Sequence, residues 1–115
     1  MVLAVHAVHS TRWWLSVATG APMPERDRPS EFRATVADPE ELRTTVDRMS
    51  GECRALLEGV EGFEPATSWT SPTGGEVRTR GWALLHALEH LREHVAQALL
   101  TRQLWAASDA GAPRA

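Results

Sequence analysis

The feature that most constrains the fold is a long stretch of helical periodicity near the C-terminus of the sequence. From about Arg80 or Gly81 to Ala107, apolar side chains recur at intervals of three and four residues, the spacing of one helix face. Within this stretch the segment HALEHLREH places three of the five histidines four residues apart. Residues at that interval lie on the same side of a helix, so His86, His90 and His94 are expected to form one row.

Two further segments have the pattern of helices. The first runs from Val2 to about Ala18 and meets Gly20, a typical C-terminal stop. The second starts at Asp38, a good N-cap that is followed by proline, and continues to about Val60. No strand-like alternation persists, and the proline-rich linker 21–37 is expected to lack regular structure. The sequence therefore predicts an all-α protein with three long helices, a single domain over residues 1–107 and a flexible tail at 108–115.

Composition excludes several classes of function. Of the 115 residues, 43% are hydrophobic and 23% are charged, which is usual for a globular domain. The formal charge is -3 without any basic cluster, so nucleic acid is not an expected partner. No apolar run is long enough for a membrane span, and the single cysteine, Cys53, is expected to be a buried, inert thiol. We expect a cytoplasmic protein without an internal disulfide.

The row of histidines can supply a pair of metal ligands but not three. Eight residues of helix separate His86 from His94 by roughly 12 Å along the axis. Metal–nitrogen bonds of about 2.1 Å are too short for one ion to bind both. The geometry therefore predicts one adjacent pair and a third ligand from another helix, where His6 and His9 are the candidates. A histidine-rich helical core without metal is the alternative.

Two segments resemble parts of the DinB-like superfamily. The third helix, GWALLHALEHLREHVAQALLTRQLW, is similar to the last metal-bearing helix of that group, and its matching residues are His86, His90, His94 and Gln97. The first helix, HAVHSTRWWLSVATGAP, is similar to the family's second helix, in which a ligand histidine precedes an aromatic pair by about two turns. His6 stands at that spacing before Trp13-Trp14, which favours it over His9.

The resemblance implies a DinB-like four-helix bundle with one divalent ion, zinc or nickel, held by three histidines. Carried onto this sequence, the ligands are His6, His90 and His94. The residues that would line or support the pocket are His86, His9 and Gln97. The family's enzymes include mycothiol-dependent S-transferases and isomerases, so the implied partners are a small-molecule thiol and an electrophile. The alternatives are a metal-dependent hydrolase on the same site and a non-catalytic or truncated metal-binding member.

The sequence departs from the family at its start. Members usually have a further helix before the first ligand histidine, and here His6 follows the first residue by one turn. Three amphipathic helices would leave an apolar groove where the fourth belongs, and an exposed groove of that size promotes association. We therefore expect either a missing first helix or a homodimer.

Overall fold

The computed structural model describes residues 2–34 and 38–111. In chain order the elements are α1 (Val2–Thr19), α2 (Arg28–Phe32), α3 (Pro39–Gly59), β1 (Ser68–Thr70), β2 (Val77–Thr79) and α4 (Arg80–Gly111). Three of the four helices are long, and they hold most of the described residues. The predicted all-α class, a helical bundle with three long helices, is confirmed.

Two of the predicted helix boundaries have a local structural cause. The carboxylate of Asp38 accepts a hydrogen bond from the backbone N–H of Glu41 at 2.9 Å and so caps α3. At the end of α1, Gly20 has a φ of 74°, the left-handed conformation that stops a helix at little cost for glycine. Both signals were readable from the sequence.

The linker after α1 contains a short helix, so the prediction that it lacks regular structure was wrong. Helix α2 starts because the Asp27 carboxylate accepts a hydrogen bond from the N–H of Ser30 at 3.2 Å, with Pro29 in the first turn. This is the same combination of acidic cap and early proline that starts α3. Its five residues are too few to show a helical period in the sequence.

The described residues also include two short strands, which the sequence pattern did not indicate. Strands β1 and β2 pair antiparallel, with Trp69 opposite Arg78, and lead directly into α4. Each has three residues, too short for an alternating pattern to be recognised.

Helix α4 continues four residues beyond the predicted end at Ala107, to Gly111. Of the predicted tail, residues 108–111 are therefore helical, and residues 112–115 lie outside the described part of the chain. None of the described helices combines the length and the apolar composition that a membrane span requires.

Small side chains allow α1 and α4 to pack closely. Val17, Ala18 and Ala83 form the buried cluster, with Ala83 fully inaccessible to solvent. Since Val17 packs near Ala83 at one end while His6 meets His90 at the other, the two helices run antiparallel. Helix α1 also packs against α3, whereas α3 and α4 hardly touch. The outer face of α4 consequently stays exposed, including Leu88 at 62%.

Candidate metal centre

The antiparallel packing of α1 on α4 brings three imidazoles together. One ring nitrogen from each of His6, His90 and His94 lies within 4.8 Å of the other two. The Nε2 atoms of His90 and His94 are 3.1 Å apart, and the His6 ring centre lies 5.2 and 5.1 Å from those of His90 and His94. His6 is buried, and the other two are half-buried. The structure thus joins one adjacent pair from α4 with one histidine from α1.

A buried carboxylate from α2 orients His6. Glu31, which is 3% exposed, accepts a hydrogen bond from Nδ1–H of His6 at 3.1 Å. Its two oxygens also accept hydrogen bonds from the Arg26 guanidinium at 2.7 and 2.9 Å. Because Nδ1 carries the proton, Nε2 of His6 keeps its lone pair, which is the form that binds a metal.

The electrostatics of this pair keep Glu31 ionised and His6 neutral. Burial alone would raise the pKa of Glu31, but the hydrogen bonds from Arg26 and His6 outweigh it and hold the pKa below its usual value. Burial lowers the pKa of His6, and the opposing effect of the Glu31 carboxylate is smaller. At neutral pH the pair is therefore a carboxylate and an imidazole.

Gln97 orients His94 in the same way. Its side-chain oxygen accepts a hydrogen bond from Nδ1–H of His94 at 2.8 Å, which leaves Nε2 of His94 unprotonated, with its lone pair directed at Nε2 of His90 3.1 Å away. Gln97 stands one turn after His94 on α4, so the helix itself sets this contact.

His90 has no such orienting contact. Its Nδ1 is buried and lacks a hydrogen-bond partner among the described residues. Burial, together with the neighbouring His94 and His6, lowers the pKa of His90 to about 4. His90 is therefore neutral at physiological pH, as a metal ligand must be.

The donor set and its spacing fit a divalent ion. Two nitrogens bound to one ion at about 2.1 Å can be no more than about 4.2 Å apart. The pair from His90 and His94 already meets this limit, and the widest separation in the trio, 4.8 Å, needs a shift of under about 1 Å. Three imidazole ligands, with further coordination positions left for water or substrate, are typical of zinc, nickel and related metals.

His86 stands beside the trio on the same face of α4. Its ring stacks on Trp82 at 4.5 Å between centres and meets Trp14 edge-on at 5.0 Å. The ring centre lies 5.5 Å from that of His90. Aromatic contacts thus hold His86 beside His90, where its side chain lines the neighbouring cavity.

A cavity of about 520 Å³ opens next to the histidines. Residues from α1, the segment before α2, the start of α2, the hairpin turn and α4 form its walls; they are His6, Ser10, Trp13, Trp14, Arg26, Arg28, Ser71, Pro72, Thr73, His86 and His90. The cavity is large enough for a small organic ligand in contact with both His6 and His90.

The structure does not bring His9 to this cavity. His9 lines a separate hollow of about 190 Å³ with Arg12 and Met49. Cys53 lies in another, mostly apolar hollow, where burial raises the pKa of its thiol. A raised pKa agrees with the expected inert thiol, although Cys53 is half-buried rather than fully buried.

Sequence reasoning missed Glu31 and Arg26. Both lie in the linker that was predicted to be irregular, where a single glutamate shows no pattern of its own. The usable signal was Asp27 with Pro29, which starts the helix that carries Glu31 into the core.

Comparison with known proteins agrees with the resemblance. The model of the DinB superfamily matches residues 3–98, which include all three clustered histidines and Gln97. No curated protein and no solved structure matches the chain significantly. The predicted family is confirmed.

Proposed function

We propose that this chain, which belongs to the DinB superfamily, is a metal-dependent thiol S-transferase or isomerase. In this proposal His6, His90 and His94 hold one divalent ion, zinc or nickel. The observation that carries it is the convergence of three imidazoles, two of which line a cavity. The family match supports the fold, and the cavity supports a small-molecule substrate.

The ion would supply one thing, a positive charge that keeps a bound thiol deprotonated near neutral pH. The protein's own residues prepare the site for it. Glu31 and Gln97 hold the protons of His6 and His94 on Nδ1. Both Nε2 atoms are therefore unprotonated and can act as metal ligands. Preorganised ligands of this kind typically bind metal 10–100-fold more tightly than ligands without such contacts.

The walls of the cavity favour thiol chemistry over hydrolysis. Activating a water molecule is commonly assisted by a nearby general base, often a carboxylate. Glu31 is the carboxylate nearest the cluster, and both of its oxygens are occupied by Arg26 and His6. The indole rings of Trp13 and Trp14 line the cavity and offer apolar surface to an electrophile. A thiol on a metal needs no separate base, so this environment suits it better.

Metal content is the first test. Protein purified without a histidine tag and incubated with zinc or nickel should contain about one ion per chain. His6→Ala, His90→Ala and His94→Ala should each lose most of it, while His86→Ala should keep it. A parent protein that is folded and free of metal would overturn the proposal, and equal loss in His86→Ala would mean that the ligand set is wrong.

The reaction class is tested next by consumption of thiol. The metal-loaded protein is mixed with a small thiol and a chromogenic electrophile, and the rate of thioether formation is compared with that of the His90→Ala variant. Thiol-dependent conjugation that disappears in the variant is expected. Hydrolysis of a test ester without any need for thiol would instead favour the hydrolase.

A further inference from the structure

The cavity next to the histidines carries positive charge that no lining residue neutralises. Among the described residues that line it are two arginines, Arg26 and Arg28, and no aspartate or glutamate. Uncompensated positive charge in a concave site attracts anions, since the low-dielectric walls concentrate the field.

The two arginines differ in what they already bind. Arg26 donates two hydrogen bonds to Glu31, so its charge is balanced behind the cavity wall. No carboxylate in the described part of the chain lies within 4.0 Å of the Arg28 guanidinium. Arg28 is therefore the cation that faces the cavity with its donors available.

The ring of Phe32 lies between the Arg28 guanidinium and the His6 ring, and its two contacts limit the distance from Arg28 to the histidines. Its guanidinium carbon lies 5.6 Å from the centre of the Phe32 ring, which in turn lies 4.8 Å from the centre of the His6 ring. The guanidinium is thus within about 10 Å of His6. A small molecule with one end at the histidine cluster can place its other end against Arg28.

We propose that Arg28 is a binding residue for a carboxylate on the thiol substrate, so that the site prefers a mercaptocarboxylic acid to a neutral thiol. This inference rests on the proposed function, because the thiol end of the ligand is held at the histidine cluster. Guanidinium suits the task, since its planar fork of donors matches a carboxylate in geometry and charge.

The experiment uses cobalt-loaded protein at low ionic strength and follows the thiolate-to-cobalt charge-transfer absorption. Two ligands of equal length are titrated, 6-mercaptohexanoate and 6-mercapto-1-hexanol, which differ only in the end group. Six carbons are too many for a stable chelate ring, so the carboxylate gains nothing by binding the metal itself. Each titration is repeated with Arg28→Gln and with Arg33→Gln. Arg33 is an exposed arginine that does not line the cavity, so it is the control for overall charge.

The parent and Arg33→Gln should bind the carboxylate roughly two- to fivefold more tightly than the alcohol, as expected for an ion pair with the exposed side chain of Arg28. Arg28→Gln should bind both with similar affinity and leave the alcohol's affinity unchanged. Equal ratios in Arg28→Gln and Arg33→Gln, or a ratio near one in the parent, would overturn the role of Arg28 while leaving the proposed function intact. If no charge-transfer band develops with either thiol, the proposed function fails, and this inference fails with it.

Discussion

Replacing Glu31 by alanine tests whether the short helix α2 is anchored through the site. The substitution removes three hydrogen bonds at once, two from Arg26 and one from His6. The side chains of Arg26 and His6, which donated these bonds, stay in place, and the Glu31 position that they faced is only 3% exposed. The Arg26 side chain is only 13% exposed, so water can replace the missing partner only in part.

The expected loss of stability follows from these contacts. Leaving a buried charge without its partner costs about 3–5 kcal/mol, and an unsatisfied neutral donor about 1–3 kcal/mol. Because Arg26 keeps some access to water, we expect the lower part of the first range, about 3 kcal/mol. For a domain of this size that corresponds to a decrease in melting temperature of about 10 °C.

The measurement is urea unfolding of protein kept free of metal by a chelator, so that stability and metal binding are separated. The urea midpoint of Glu31→Gln should lie between those of the parent and Glu31→Ala, because the amide oxygen can still accept hydrogen bonds while the amide nitrogen cannot. Glu25→Ala is the matched control, since Glu25 is an exposed glutamate in the same linker. Its midpoint should stay close to that of the parent.

Two results would refute the reasoning. If Glu31→Ala unfolds at the same urea concentration as Glu25→Ala, the carboxylate does not anchor α2. If Glu31→Ala is destabilised but binds zinc as tightly as the parent, the carboxylate contributes to stability without orienting His6. Competition with a chromogenic chelator measures the second quantity, for which we expect a loss of about tenfold or more.

Other substitutions and conditions give further tests. Gln97→Ala should weaken zinc binding about tenfold in the same competition assay and change the urea midpoint little, because the contact with His94 lies on an exposed part of α4. Ala83→Leu should destabilise the fold by about 1–3 kcal/mol in urea, since Ala83 has no free space around it, whereas Leu88→Ala on the exposed face should cost well under that. In chelator, the free energy of unfolding should fall as the pH is lowered from about 6.5 to about 4, because the unfolded chain protonates His90 in this range while the folded chain does not. His90→Asn should flatten that slope, and an unchanged slope would contradict the lowered pKa.

The part of the site that lies on long helices was predictable from sequence. The four-residue interval of His86, His90 and His94 fixes their common face once the segment is helical, and helix rise excludes a single ion for all three. The choice of His6 over His9 depended on the family resemblance, because both stand on the inner half of α1 by periodicity alone. The structure brings His6 to the pair and leaves His9 in a separate hollow.

The part that lies on short elements was not predictable. Glu31 becomes a contact of His6 only because α2 folds back onto α1, and Arg28 lines the cavity for the same reason. A glutamate and an arginine in a proline-rich linker are by composition ordinary solvent-facing residues. Their roles depend on tertiary packing over long sequence separations, which no local pattern records.

The antiparallel contact between α1 and α4 also has a consequence for biosynthesis. The histidine trio joins the first and the last of the described elements, so it does not exist until α4 has left the ribosome and docked on α1. Before α4 is made, the growing chain offers only the separate imidazoles of α1. Once α4 has formed but before it docks, His90 and His94 are a pair without a third histidine. Under the proposed function, loading with metal would therefore follow synthesis of α4 and its docking on α1.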